Sequence, residues 1–171
     1  MVWGCFTGER LGPLIVCEEG GIGADEYEEI LYDGLFSLID DLLEPPEDPG
    51  TIQVVTNNTF VFMQDNAPCH KVTAVLEFLE ENHVPVMEWP PQSPDLNPIE
   101  NLCVQFKAAF HEHFLTMFNH PSKSLEASYR YGEVLQQVWY ELGQGLIDAL
   151  IEPMPRRVQA VIEAKGGWIK Y

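Results

Sequence analysis

The apolar positions of this chain follow two periods. Strand-like runs come first: Val2, Trp3, Cys5 and Phe6 within residues 2–7, then Leu14, Ile15, Val16 and Cys17 within residues 11–17. Thr7–Gly8–Glu9–Arg10 between them is turn-like, which predicts a hairpin. Helical spacing then takes over. Tyr27, Ile30, Leu31, Leu35, Leu38, Ile39, Leu42 and Leu43 form one stripe over Asp25–Leu43. Asp25, Glu26, Glu28 and Glu29 crowd its first turns, where the helix dipole favours acids, and Pro45–Pro46 ends it. Glu44–Gly50 reads as an acidic Pro/Gly linker and the most mobile loop, running on to Asn58 unless Ile52–Val55 forms a short strand.

Thr59–Gln64 is apolar on both faces, as an interior strand requires. His70–Asn82 is the second predicted helix, with Val72, Val75, Leu76 and Leu79 inside. Val84–Met87 is a short strand whose Pro85 suits an edge or a strand start. Pro90, Pro91, Pro94 and Pro98 then stiffen a loop from Trp89. A third helix over 98–114 puts Ile99, Leu102, Cys103, Phe106 and Phe110 inside, and Glu100, Lys107 and His111 on a neighbouring face. Residues 120–128 read as a loop, and Tyr131–Leu150 as one long amphipathic helix. Pro153–Met154–Pro155 breaks it, and Arg156–Lys165 is a last helix ended by Gly166–Gly167. This order predicts an α/β layered domain: a single one over 1–171, with its core at about 1–115 and C-terminal helices at about 120–171.

Charge changes the picture more than composition does. The net charge is −18, with thirteen acids and one base in residues 1–48, seven and one in 49–100, and seven of each in 101–171. Such a balance argues against strong DNA binding, because non-specific affinity comes from Lys and Arg neutralising phosphates. A solvated acidic face that aids solubility accounts for it equally well. No apolar run approaches the roughly 18 residues of a membrane span, and no basic-then-apolar leader opens the chain. Cys5, Cys17, Cys69 and Cys103 have no C-x-x-C spacing and read as reduced thiols. The adjacent pair Cys69–His70 lacks the partner pair that a zinc site needs.

The candidate chemistry lies in two stretches. Phe62–Met63–Gln64–Asp65–Asn66–Ala67–Pro68–Cys69–His70 puts a carboxylate just after an apolar run. Trp89–Pro90–Pro91–Gln92–Ser93–Pro94–Asp95–Leu96–Asn97–Pro98–Ile99–Glu100 puts another at a helix start. The 34 residues between Asp65 and Glu100 hold a helix, a strand and a loop, a crossover that can return the second acid to the sheet edge where open α/β folds build sites. Each residue also has a structural reading. Asn97, Pro98 and Glu100 are an N-cap, an N1 proline and an N3 acid, which together resemble a capping box. Asp65 beside Asn66 and Pro68 suits a turn, Asn66 suits a turn cap, and His70 suits a helix start.

These two stretches, with their spacing, resemble the catalytic domain of the Tc/mariner superfamily of DDE transposases. The resemblance runs from Val2–Trp3–Gly4–Cys5–Phe6 to Met154–Pro155–Arg156–Arg157–Val158 and Gly166–Gly167. It implies an RNase H-like fold, a mixed sheet flanked by helices, and DNA strand cleavage and transfer at transposon ends. It also implies a two-ion Mg2+ or Mn2+ centre that takes Asp65 and Glu100 as catalytic metal ligands. Asn66, His70 and Asn97 would be supporting or substrate-positioning residues. Transposon-end DNA, a homodimer and the nucleus are implied as partners and location, and no membrane.

In that fold the first strand is central and carries the first of three catalytic acids. The match starts at a segment that follows it, so that strand and its acid are expected to be missing, leaving weak metal binding and little turnover. Asp25, Asp33, Asp40 and Asp41 lie on the first predicted helix and do not replace it. Family members carry helix-turn-helix modules ahead of the catalytic domain, and residues 1–58 hold no basic recognition helix. Cys103 stands where the family usually has Trp, a large-to-small change expected to leave a cavity. The alternatives are a non-catalytic relic or domesticated nucleic-acid or protein interaction module on the same fold, and a different RNase H-like nuclease. The proline-rich second stretch speaks against the last.

Overall fold

The structure, a computed structural model, describes residues 1–17, 21–43, 60–117, 125–167 and 169, with the backbone alone at 114–117 and 125–129. Contacts divide the chain into two units, one of residue 1 with 17–93, the other of 2–16 with 94–171.

The first unit is built on a long helical segment. α1 (Ala24–Ile30) runs through a π-helical stretch, Leu31–Phe36, into α2 (Ser37–Leu42), as the Asp25–Leu43 stripe requires. Gly23 is its N-cap, and the Glu26 carboxylate accepts the Gly23 N–H at 3.0 Å, so the first-turn acid satisfies an orphan donor. Tyr27, Ile30, Leu31, Leu35, Leu38 and Ile39 are buried. α3 (Thr73–Glu81), preceded by a 3-10 turn at Pro68–Lys71, contributes buried Val75 and Leu79. It ends with His83 at φ 58°, whose N–H bonds the Glu80 carbonyl while Val84 N–H bonds Leu79. That is the left-handed C-terminal cap usually given to glycine.

The predicted strands at 59–64 and 84–87 are reduced to one parallel bridge, Phe62 opposite Val86. Phe62 N–H donates to Pro85 O and Met87 N–H donates to Phe62 O, both at 2.8 Å. Phe62 and Val84 are buried, while Val61, Val86 and Met87 are exposed. An all-buried interior strand over residues 60–64 is therefore not what the described residues show. The predicted linker and the Ile52–Val55 strand lie outside the described residues.

The second unit opens on the predicted hairpin, β1 (Val2–Phe6) antiparallel to β2 (Leu11–Val16), with a register shift between Gly4 and Phe6. Thr7 makes the turn, its hydroxyl accepting the Glu9 and Arg10 N–H groups. α4 (Pro98–Met117), α5 (Leu125–Glu141), α6 (Gln144–Ile151) and α7 (Met154–Glu163) follow. Leu14, Leu102, Phe106, Val134, Val138, Trp139 and Leu150 form the core. Trp139 stands edge-on to Phe106, ring centroids 5.5 Å apart, and its indole N–H donates to Gly12 O at 2.9 Å. A buried indole needs such a partner.

Three sequence expectations change here. Residues 125–128 belong to α5 rather than to a loop, consistent with the helix-forming Leu125, Glu126 and Ala127. The helix expected over 131–150 is two, because Gly143 adopts an extended N-cap conformation at the start of α6. Cys103, expected on the inner face of α4, is only half-buried, beside fully buried Leu102.

Candidate active site

In the first unit the chain leaves the Phe62 bridge and turns at Asp65. The Asp65 carboxylate folds back on its own turn, Oδ1 accepting the Ala67 N–H at 3.0 Å. This is the turn that Asp, Asn and Pro at 65, 66 and 68 predict. The same Oδ1 lies 2.8 Å from His70 Nδ1. His70 Nδ1 also sits 3.2 Å from the Asp65 backbone oxygen. With two oxygens before it, Nδ1 is the nitrogen that carries the hydrogen. Both contacts to the carboxylate thus converge on Oδ1, and the side chain remains 50% exposed.

Asn66 points the other way. Its amide Nδ2 donates to Trp89 O at 2.9 Å, tying the Asp65 turn to the proline-rich loop. His70 is only 18% exposed because Tyr27 stacks on it, centroids 4.3 Å apart and planes at 27°. The Tyr27 hydroxyl donates to Gln64 Oε1 at 2.7 Å. Sequence reading placed Tyr27 merely in the apolar stripe of a helix and gave Gln64 no role. The available signal was a polar handle, the phenol, among aliphatic positions.

In the second unit a 3-10 turn at Pro94–Leu96 leads into α4. Asn97, 6% exposed, caps it, its side-chain oxygen accepting the Ile99 N–H at 3.4 Å. The reciprocal half of a capping box is not used: the Asn97 N–H donates instead to Pro94 O at 3.0 Å. Glu100 lies exposed in the first helical turn, so its carboxylate is not consumed by the cap. Its charge reaches Cys103 one turn on. The Cys103 thiol is pushed up first by burial and then by Glu100, with Lys107 acting in the opposite sense.

Asp65 and Glu100 therefore present exposed, hard oxygen donors, the ligand type Mg2+ and Mn2+ prefer, and Mg2+ retains several waters. In donor chemistry they fit such an ion. In number they fall short of a cage: among the described residues no three His, Cys, Asp or Glu side chains gather as a metal-binding group. No helix among the described residues is long and apolar enough to cross a membrane.

Residues 18–118 match the family described as DDE superfamily endonuclease. The chain is 34% identical over its whole length to the Transposable element Tcb2 transposase of Caenorhabditis briggsae, spanning 54%, about half, of that relative. The solved catalytic domain of Mos1 mariner transposase superposes with a TM-score of 0.68 at 19% identity, over 99% of this chain and 74% of that one. The Mos1 mariner paired end complex with Mn gives a TM-score of 0.69 at 18% identity, over 99% of this chain and 44% of that one. The fold is thus the RNase H-like α/β fold of those catalytic domains. With a family match across residues 18–118, the chain belongs to the DDE superfamily endonucleases, and along its whole length it is similar to a Tc-type transposase.

Proposed function

We propose that this chain is the catalytic-domain segment of a cut-and-paste DNA transposase and that Asp65 and Glu100 each serve as a divalent-cation ligand. A divalent-cation centre carries phosphoryl transfer by polarising the phosphate and stabilising the attacking and leaving oxygens. The chain's own contribution is to hold each carboxylate ready for an ion. The Asp65 turn and His70 fix Oδ1 on a half-exposed side chain, while Asn66 holds the turn to the Trp89 loop. Asn97 starts α4 so that Glu100 falls in its first turn. The observation that carries this reading is the Asp65 carboxylate itself, restrained through one oxygen yet half exposed. A carboxylate serving only its turn gains nothing from the second restraint by His70.

The reading also holds that the third acidic ligand is not among these residues, so the chain alone binds the cation weakly and turns over little. DNA at transposon ends is its substrate, a second copy its partner in synapsis, and the nucleus its location. Mn2+ binding to the purified chain tests it, followed through the electron paramagnetic resonance of the free ion. Binding should be lost in Asp65→Asn and in Glu100→Gln.

A second reading, a non-catalytic interaction module on the same fold, draws on the net charge of −18. It expects Mn2+ binding, if any, to be indifferent to both substitutions.

A further inference from the structure

Tyr27 touches both ends of the Asp65 turn. Its hydroxyl donates to Gln64, the residue before Asp65, at 2.7 Å. Its ring stacks on His70, whose Nδ1 is 2.8 Å from the Asp65 carboxylate. We infer that Tyr27 is a positioning residue for the candidate metal centre, a clamp from α1 that sets where the Asp65 carboxylate points; the inference rests on the proposed metal reading.

Three observations converge on this role. Tyr27 is 1% exposed on an otherwise aliphatic stripe, where leucine would serve the core equally well. A buried phenol is costly unless its hydroxyl is bonded, so the side chain carries a requirement that the Gln64 bond meets. The stacked ring shields the imidazole face, leaves it 18% exposed, and so limits the rotation that would carry Nδ1 away from Asp65 Oδ1. Gln64, Asp65 and His70 are close in sequence, but a short loop alone leaves both side chains free to change rotamer. Tyr27 reaches Gln64 from 37 residues away and couples that loop to the helix. Groups that orient a metal ligand from behind typically set affinity by about 10–100-fold. A clamp acting one residue further back should count for less.

The test uses the whole chain with Tyr27→Phe, Tyr27→Leu, Gln64→Leu, the Tyr27→Phe/Gln64→Leu pair and Asp65→Asn, each checked for folding by circular dichroism at a temperature well below its melting point. Two readouts are taken: the His70 ring-proton resonances and Mn2+ affinity. Tyr27→Phe keeps the stack, so the His70 lines should stay near their ring-current-shifted positions, while Mn2+ affinity falls about threefold. Tyr27→Leu should move those lines and lower affinity about tenfold. Gln64→Leu should reproduce the Tyr27→Phe loss, and the two together should cost no more than either alone, as groups acting through one bond do. Folded Tyr27 variants that bind Mn2+ like the parent, when Asp65→Asn does not, would make Tyr27 a core residue only and leave the metal reading standing. Should Asp65→Asn bind like the parent, or the parent fail to bind at millimolar Mn2+, the metal reading falls. In that case unmoved His70 lines in Tyr27→Leu would overturn the clamp as well.

Discussion

Asn97 shows how a single residue serves local structure and site together. It is the buried polar side chain at the head of α4, and its bond to the Ile99 N–H is long, 3.4 Å. Replacing it by Ala should cost about 1 kcal/mol, toward the lower part of the range for N-caps, and Asn97→Asp should recover most of it. Chemical denaturation of the two variants checks this. Cys5 is a second such case. Burial pushes its thiol up to about 12, so the folded state keeps the proton that an unfolded thiol releases near its ordinary value of 9.0. The sign follows: this contribution to stability is complete below pH 9 and is lost as pH rises toward 12. In the native chain at pH 8, Cys5 should therefore resist alkylation by iodoacetamide, and Cys103, whose thiol is also pushed up, should react more slowly than the half-buried Cys17 and Cys69; mass spectrometry reads the order. Asp65, Asn66 and Asn97 were legible as turn and cap residues because that chemistry is encoded within a few positions. The pairing of Tyr27 with His70 was not, because it depends on packing two distant segments together.

Elements were legible in proportion to their periodicity. The hairpin, the long first helix and α4 follow from spacing and punctuation, each close to its predicted place. The short apolar runs at 60–64 and 84–87 were ambiguous for a physical reason: a run of four to six apolar residues does not say how much of it will find a ladder partner. The division of α5 from α6 turns on Gly143, one weak helix former inside a continuous apolar stripe, where propensity and pattern disagree. The hairpin meets the helices at Gly4. A Cβ there would lie 3.1 Å from the Trp139 ring and 3.2 Å from Leu14 Cδ1. The indole is held by its bond to Gly12 and by Phe106, so it cannot yield easily. Gly4→Ala should destabilise the chain by about 1–3 kcal/mol through overpacking, read from the denaturation midpoint at unchanged slope.

Across the whole chain, charge and family pull in opposite directions. Seven of the nine bases lie in residues 101–171, and the first hundred residues are overwhelmingly acidic. Non-specific DNA affinity scales with the phosphates neutralised, and its usual range at physiological salt is about 10⁻⁴–10⁻⁶ M. This chain should fall at or beyond the weak end of that range for a random duplex in 0.15 M salt, by fluorescence anisotropy; submicromolar binding would show that the acidic surface does not govern the encounter. The motifs and their spacing made the family legible at this scale.

Asp65 and Glu100 are each proposed to hold a divalent cation, and Mn2+ relaxation measures that most directly. Mn2+ broadens amide resonances within roughly the reach of its unpaired spin, so a titration of the 15N-labelled chain reports which residues surround each bound ion. The expected result is that amide lines at Asp65–Asn66 and at Ile99–Glu100 broaden at millimolar Mn2+ or below, and that Asp65→Asn and Glu100→Gln each abolish the broadening at their own position. Lines at either position that stay sharp, or that broaden equally in the substituted chain, would contradict it.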